Sequence, residues 1–122
     1  MNNQQDQNEV ETLSAADAAL LREHARSMAD TQRLAHEWCV KTVGEVDGLD
    51  RWREAKMSAR VVELAVEEAD GFVTEAKAGL PAWRGMDIVA KLKSLHKRSS
   101  ECVELIESLR TKHSHCTDAG NN

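Results

Sequence analysis

Residues 52–76 read WREAKMSARVVELAVEEADGFVTEA, and within them Trp52, Ala55, Ala59, Val62, Val66, Ala69, Val73 and Ala76 recur at spacings of three and four without a slip. Residues three and four apart share one face of an α-helix, so this stretch is a helix packed along its length against another. Residues 88–113 carry the same alternation in Ile88, Leu92, Leu95, Ser99, Cys102, Ile106, Leu109 and His113. Between the two stands Gly79-Leu80-Pro81. Glycine tolerates the left-handed position that closes a helix, leucine packs back on the last turn, and proline blocks continuation. Gly71 lies inside the first stretch at a cost of about 1 kcal/mol relative to alanine. The stripe passes through it in phase, so the helix is read as continuous, with a break there as the alternative.

Folding the second stretch back on the first around Ala82 brings Ala55 to Leu109, Ala59 to Ile106, Val62 to Cys102, Ala69 to Leu95, Val73 to Leu92 and Ala76 to Ile88. Small side chains meet large ones, which fills a core without overpacking. In the same register Lys56, Arg60 and Glu67 fall opposite Glu107, Glu104 and Lys97.

Upstream, Ser14 and Asp17 form an S-x-x-D start signal. The helix it opens carries Leu20/Leu21, His24, Ser27/Met28, Thr31, Leu34/Ala35 and Trp38 and stops near Val46. There Asp47-Gly48-Leu49-Asp50 makes a turn with a new N-cap at Asp50 or Asp47. The return places Trp38 by Ala59, Leu34 by Val62, Thr31 by Val66 and Leu20 by Ala76, and puts Thr31 and Ser99 in one middle layer. The predicted fold is all-α: an up-down-up antiparallel three-helix bundle over 13–114, with long coiled-coil-like helices at about 14–46, 50–78 and 87–113. A disordered N-terminal segment, 1–12, and a short flexible tail, 115–122, flank it.

Composition agrees. A single proline, no tyrosine and one phenylalanine give strands little support. The opening residues lack the basic and apolar regions of a signal peptide, and no apolar run approaches the roughly 20 residues of a membrane span. The expectation is therefore a small acidic cytoplasmic protein without membrane contact. Its net charge of −5 disfavours nucleic acid as a partner. Three widely spaced cysteines, Cys39, Cys102 and Cys116, do not make a zinc ribbon, and an odd count suits a reducing compartment.

Function is less legible. No glycine-rich phosphate loop, G-x-S-x-G or paired-acid arrangement occurs, so the protein is read as a non-enzyme that needs no cofactor. If Trp52 and Ala55 set the seam, then Met57, Val61 and Leu64 face outward on the second helix with Phe72 on its flank. Val40 and Val43 join them from the first helix. Contiguous exposed apolar side chains mark a partner surface, the alternative being a bundle rotated so that some of them are core. The leading expectation is thus a protein–protein interaction module, a subunit, adaptor or inhibitor, that docks another protein or a second copy of itself through Val40, Val43, Met57, Val61, Leu64 and Phe72. One alternative is a metal- or redox-responsive sensor built on His113, His115 and Cys116, with Cys102 as helper; imidazole and thiolate suit zinc, copper or nickel, but no fourth fixed ligand is in sight. Another is a regulator of nucleic-acid-binding machinery acting through the basic Lys91, Lys93, Lys97 and Arg98 or through the acidic second helix. Trp83, in the Pro81–Gly85 connection, is expected to plug the end of the bundle.

Overall fold

A computed structural model describes residues 11–45 and 51–121, with side chains up to Lys112. Three helices pack on one another up-down-up: α1 (Ala15–Glu45), α2 (Trp52–Glu75) and α3 (Ala82–Asn121). The first and third therefore run parallel, with α2 antiparallel to both. No helix among the described residues is long and apolar enough to cross a membrane.

The start of α1 follows its signal: the Asp17 N–H donates to Ser14 Oγ at 3.1 Å. The expected caps Asp47 and Asp50 lie outside the described residues. Arg51, at the N-cap of α2, makes no capping bond of its own. Helix α2 runs unbroken through Gly71 and ends at Glu75, three residues earlier than expected. Arg22 of α1 supplies the reason, donating from Nε and Nη2 to the Ala76 carbonyl at 3.2 and 3.1 Å, so that oxygen is taken by a guanidinium instead of a further turn. Gly79 then adopts φ of +92°, the left-handed conformation expected of it.

Helix α3 begins at Ala82, directly after Pro81 and five residues before the expected Asp87. Gly85 belongs to the helix rather than to a loop, and the space it leaves is used by Leu13, whose Cδ1 lies 3.3 Å from where a Cβ would stand. Leu13 is held there by a short backbone pairing of Glu11–Leu13 with the α2–α3 turn. Leu13 N–H donates to Leu80 O at 2.8 Å, Gly79 N–H to Leu13 O at 3.0 Å and Ala82 N–H to Glu11 O at 2.7 Å. Glu11 and Thr12, expected in a loose segment, are thus tied to the bundle; residues 1–10 lie outside the described ones. Leu13 and Leu80 cover this end of the core, whereas Trp83 is 64% exposed and does not plug it. At the other end α3 continues to Asn121, past the expected boundary near His113.

The α3 stripe holds nearly throughout: Ile88, Leu92, Leu95, Ser99, Ile106 and Leu109 are buried and Cys102 is half-buried. The α2 stripe is turned slightly, adding Ser58, Ala65 and Phe72 to Ala55, Ala59, Val62, Ala69 and Ala76. Helix α1 departs from expectation. Its buried face is Ala18, Leu21, Ala25, Ala29, Gln32, Cys39, Thr42 and Val43, while Leu20, Thr31 and Leu34 face solvent. Alanines account for this: Ala25 and Ala29 share the upper core cluster with Ala65 and Ala69, where small faces let two backbones approach closely. The same rotation lets Arg22 reach Ala76 and Arg33 reach Asp70 at 2.9 Å.

The expected cross-helix charge register does not form. Arg60 pairs with Glu63 and Glu67 of its own helix, Glu107 with Arg110, and Lys56 lies over the Trp52 ring. The ion pairs between helices among the described residues are instead Arg33–Asp70, Arg84–Glu75 and Arg110–Glu45.

Candidate functional site

The expected partner surface does not assemble as a unit. Phe72 is 5% exposed and packs in the upper core beneath the Arg84 guanidinium, and Val43 is 8% exposed in the lower core. Both are corrected to core residues, as the rotated alternative required. Val40, Met57 and Leu64 are exposed and Val61 is half-buried. Met57 and Val61 line a shallow cleft of about 540 Å³ together with Arg51, Arg53, Glu54 and Ser58.

Rotation of α1 opens a different surface. Of the residues read from the sequence as its core face, Leu20, Leu21, His24, Thr31 and Ala35 now line the groove between α1 and α3. Leu20 is 69% exposed there, whereas Leu34, 68% exposed, lies outside the groove's clefts. Thr31 lines the same middle cleft as Ser99, but from the solvent side, and its hydroxyl donates to the Ser27 carbonyl at 3.0 Å. Across the groove α3 presents a second row at the same spacing, Met86, Val89, Lys93, His96, Ser100 and Val103. Of the three helix pairs, α1 and α3 are the least closely packed.

Two clefts lie along this groove. The upper one, about 370 Å³, is lined by Leu13, Leu20, Leu21, Met86 and Val89, with Asp17 and His24 at its edge. Its walls are almost wholly apolar, and Met86 is 74% exposed. The middle one, about 320 Å³, is lined by Thr31, Gln32, Ala35, His96, Ser99, Ser100, Val103 and Glu104. Below it Trp38 is overlain by the Arg110 guanidinium at 5.9 Å, which closes that end.

Gln32 is the polar residue of the middle layer, in the place where Thr31 was expected, and it is 1% exposed. Its amide nitrogen lies 3.4 Å from Met28 Sδ and 3.0 Å from His96 Nδ1. With the amide donating to Nδ1, the neutral imidazole carries its proton on Nε2. Ser99, also 1% exposed, has a buried hydroxyl with no hydrogen-bond partner among the described residues. This polar layer falls between the two apolar clusters, the upper around Phe72, Ile88 and Leu92 and the lower around Val62, Ile106 and Leu109. Reading the rows by residue size concealed the site: Gln32 stood one position from the chosen stripe, next to a threonine that fitted it.

Cys39 is fully buried, and burial, with a smaller contribution from nearby Cys102, pushes its thiol up to about 11. Burial raises the Cys102 thiol as well, outweighing a hydrogen bond from Ser58. Neither has the low-pKa, accessible setting of a reactive thiol. The side chains of His113, His115 and Cys116 lie outside the described ones. Among the described residues no three His, Cys, Asp or Glu side chains converge to hold a metal ion.

No protein-family model, curated protein or solved structure matches this chain.

Proposed function

We propose that this protein is a non-enzymatic interaction module that takes a helix of a partner protein into the groove between α1 and α3, completing a four-helix packing. One observation carries the reading: an almost wholly apolar cleft at the upper end of the groove, where Leu20 and Met86 on its two walls are 69% and 74% exposed. Large apolar side chains left in solvent on two neighbouring helices suit the apolar face of another helix. The facing row on α3, with Met86 and Val89, supplies the opposite wall. Of the sequence-level surface, Val40, Met57, Val61 and Leu64 remain as a smaller second candidate, supported by Met57 and Leu64 being 66% and 46% exposed seven residues apart.

Site-specific photo-cross-linking decides between the two. A photoreactive residue at Leu20 or Met86, in cells that make the protein, is expected to capture a helical segment. Leu20→Asp, with the photoreactive residue at Met86, should abolish capture with the helical circular dichroism signal unchanged, because that side chain is mostly in solvent. Adducts arising only from Met57 or Leu64 would move the docking surface to α2. A captured segment belonging to this same chain would make the partner a second copy.

A further inference from the structure

Trp83 and the upper cleft stand side by side, and neither is filled or covered by the other. The cleft is a notch of about 370 Å³ with almost wholly apolar walls, Leu20, Leu21, Met86 and Val89 among them, and with Asp17 and His24 at its edge. Of the three tryptophans, Trp38 and Trp52 are half-buried, whereas Trp83 is 64% exposed. Its neighbours Ala82 and Met86 line the cleft and Trp83 does not. Helix geometry explains the exclusion. Successive residues turn by about 100°, so Trp83 leaves α3 about 100° from Ala82 and about 60° beyond Met86, on the side away from the cleft. The indole therefore stands beside the cleft of its own molecule without entering it. Leu20, Met86 and Trp83 are the large apolar side chains left in solvent at this end of the bundle.

Resting on the docking reading above, we propose that the partner is a second copy of this chain, whose α3 start is the docked helix, and that each Trp83 enters the upper cleft of the other molecule. The chemistry of the notch suits an indole. An indole is an apolar body with one N–H donor and no acceptor, and once buried that proton needs a partner. The notch offers apolar walls and, at its edge, the Asp17 carboxylate, which enters no ion pair among the described residues. A leucine or phenylalanine leaves that acceptor unused, and a lysine or arginine carries a charge into apolar walls at a desolvation cost. The chain itself presents the matching group in the matching place. Notch and indole lie on either side of Met86, so a two-fold axis passing close to Met86 exchanges them, each indole entering the cleft across the axis. That arrangement is isologous and closed, and it stops at a dimer. It takes Leu20, Met86 and Trp83 out of water together, and a buried aromatic anchor carries much of the binding energy of a small interface.

The test is the solution mass of the full chain, by light scattering after size exclusion, with reductant present so that no cysteine links two copies. Over about 1–500 µM the mass is expected to rise from monomer to dimer, because an interface this small gives micromolar affinity. Trp83→Ala and Leu20→Asp should each raise the dissociation constant by more than about tenfold with helicity unchanged, since both side chains are mostly in solvent in the single copy. Mixed together, the two variants should associate more tightly than either does alone, because Leu20→Asp brings an intact indole and Trp83→Ala an intact cleft. Trp83→Phe, which keeps a ring and loses the N–H, should weaken the dimer by about fivefold, and Asp17→Ala should erase that difference between tryptophan and phenylalanine. A dimer that Trp83→Ala leaves intact, or a mixture no tighter than its components, overturns the exchange. A difference that survives Asp17→Ala overturns the indole's hydrogen bond as the basis of its selection. A monomer at every concentration overturns self-association. If cross-linking from Met86 then captures a helix of another protein, the groove reading stands without it, and if it captures nothing, both fall.

Discussion

Cys39 and Ser99 are buried polar atoms of opposite fate. The Cys39 thiol ionises near 9.0 in an unfolded chain but near 11 in the folded protein. Between those values the unfolded state holds fewer protons, so the stabilisation is complete below the lower value and is lost as pH rises through the upper one. The loss amounts to about 3 kcal/mol. Chemical denaturation from pH 8 to 11 should show a steeper alkaline decline for the wild type than for Cys39→Ala, and equal slopes would assign the decline to other groups. Ser99 works the other way. Its hydroxyl is dehydrated and receives nothing in return, so Ser99→Ala should stabilise the free protein by about 1 kcal/mol, seen as a raised thermal midpoint. A lowered midpoint would mean that the hydroxyl already has a partner.

At the scale of elements, α1 carries two rows at helical spacing, and size alone chose the wrong one. Leu20, Leu34 and Trp38 outweigh Ala25, Ala29 and Gln32 in hydrophobic content, yet the alanine row allows the closer approach to α2. What decides is the facing surface: Ala65 and Ala69 on α2 are matched by small residues, a property of the pair that no single helix displays. Helix α3 had no such ambiguity, because Ile88, Leu92, Leu95, Ile106 and Leu109 form its one strongly apolar row, and its face was legible. The boundary after Pro81 was misjudged because Gly85 reads as a loop residue until Leu13 is seen lying over it. Within α2, two neighbouring positions should respond in opposite directions. Gly71 is exposed and an added Cβ meets nothing within 4 Å, so Gly71→Ala should stabilise by about 1 kcal/mol. Phe72→Ala should instead cost about 3–5 kcal/mol by opening a cavity in the upper core. Urea titrations monitored by circular dichroism measure both; a mild Phe72→Ala would return that ring to the surface.

Across the whole molecule, the three-helix architecture was readable because a heptad pattern, one start signal and two stop signals constrain topology strongly. The open groove was not, because it depends on the rotation of one helix by a fraction of a turn. The polar layer at Gln32 and Ser99 divides the core into two apolar clusters. Both helices that contribute to that layer also border the groove, so a single choice of rotation set the core and the open face together.

The backbone pairing of Glu11–Leu13 with the α2–α3 turn has a mechanical consequence. Because α1 and α3 are parallel, their starting ends lie side by side, and the bonds from Leu13 to Leu80 and from Ala82 to Glu11 rivet them together. Tension applied through the residues ahead of Glu11 is therefore delivered first to the Leu80–Ala82 rivet and shared with α3, before any turn of α1 is loaded. The start of α1 is a joint that takes tension first, and under traction α1 should not peel from its first turn until that joint has sheared.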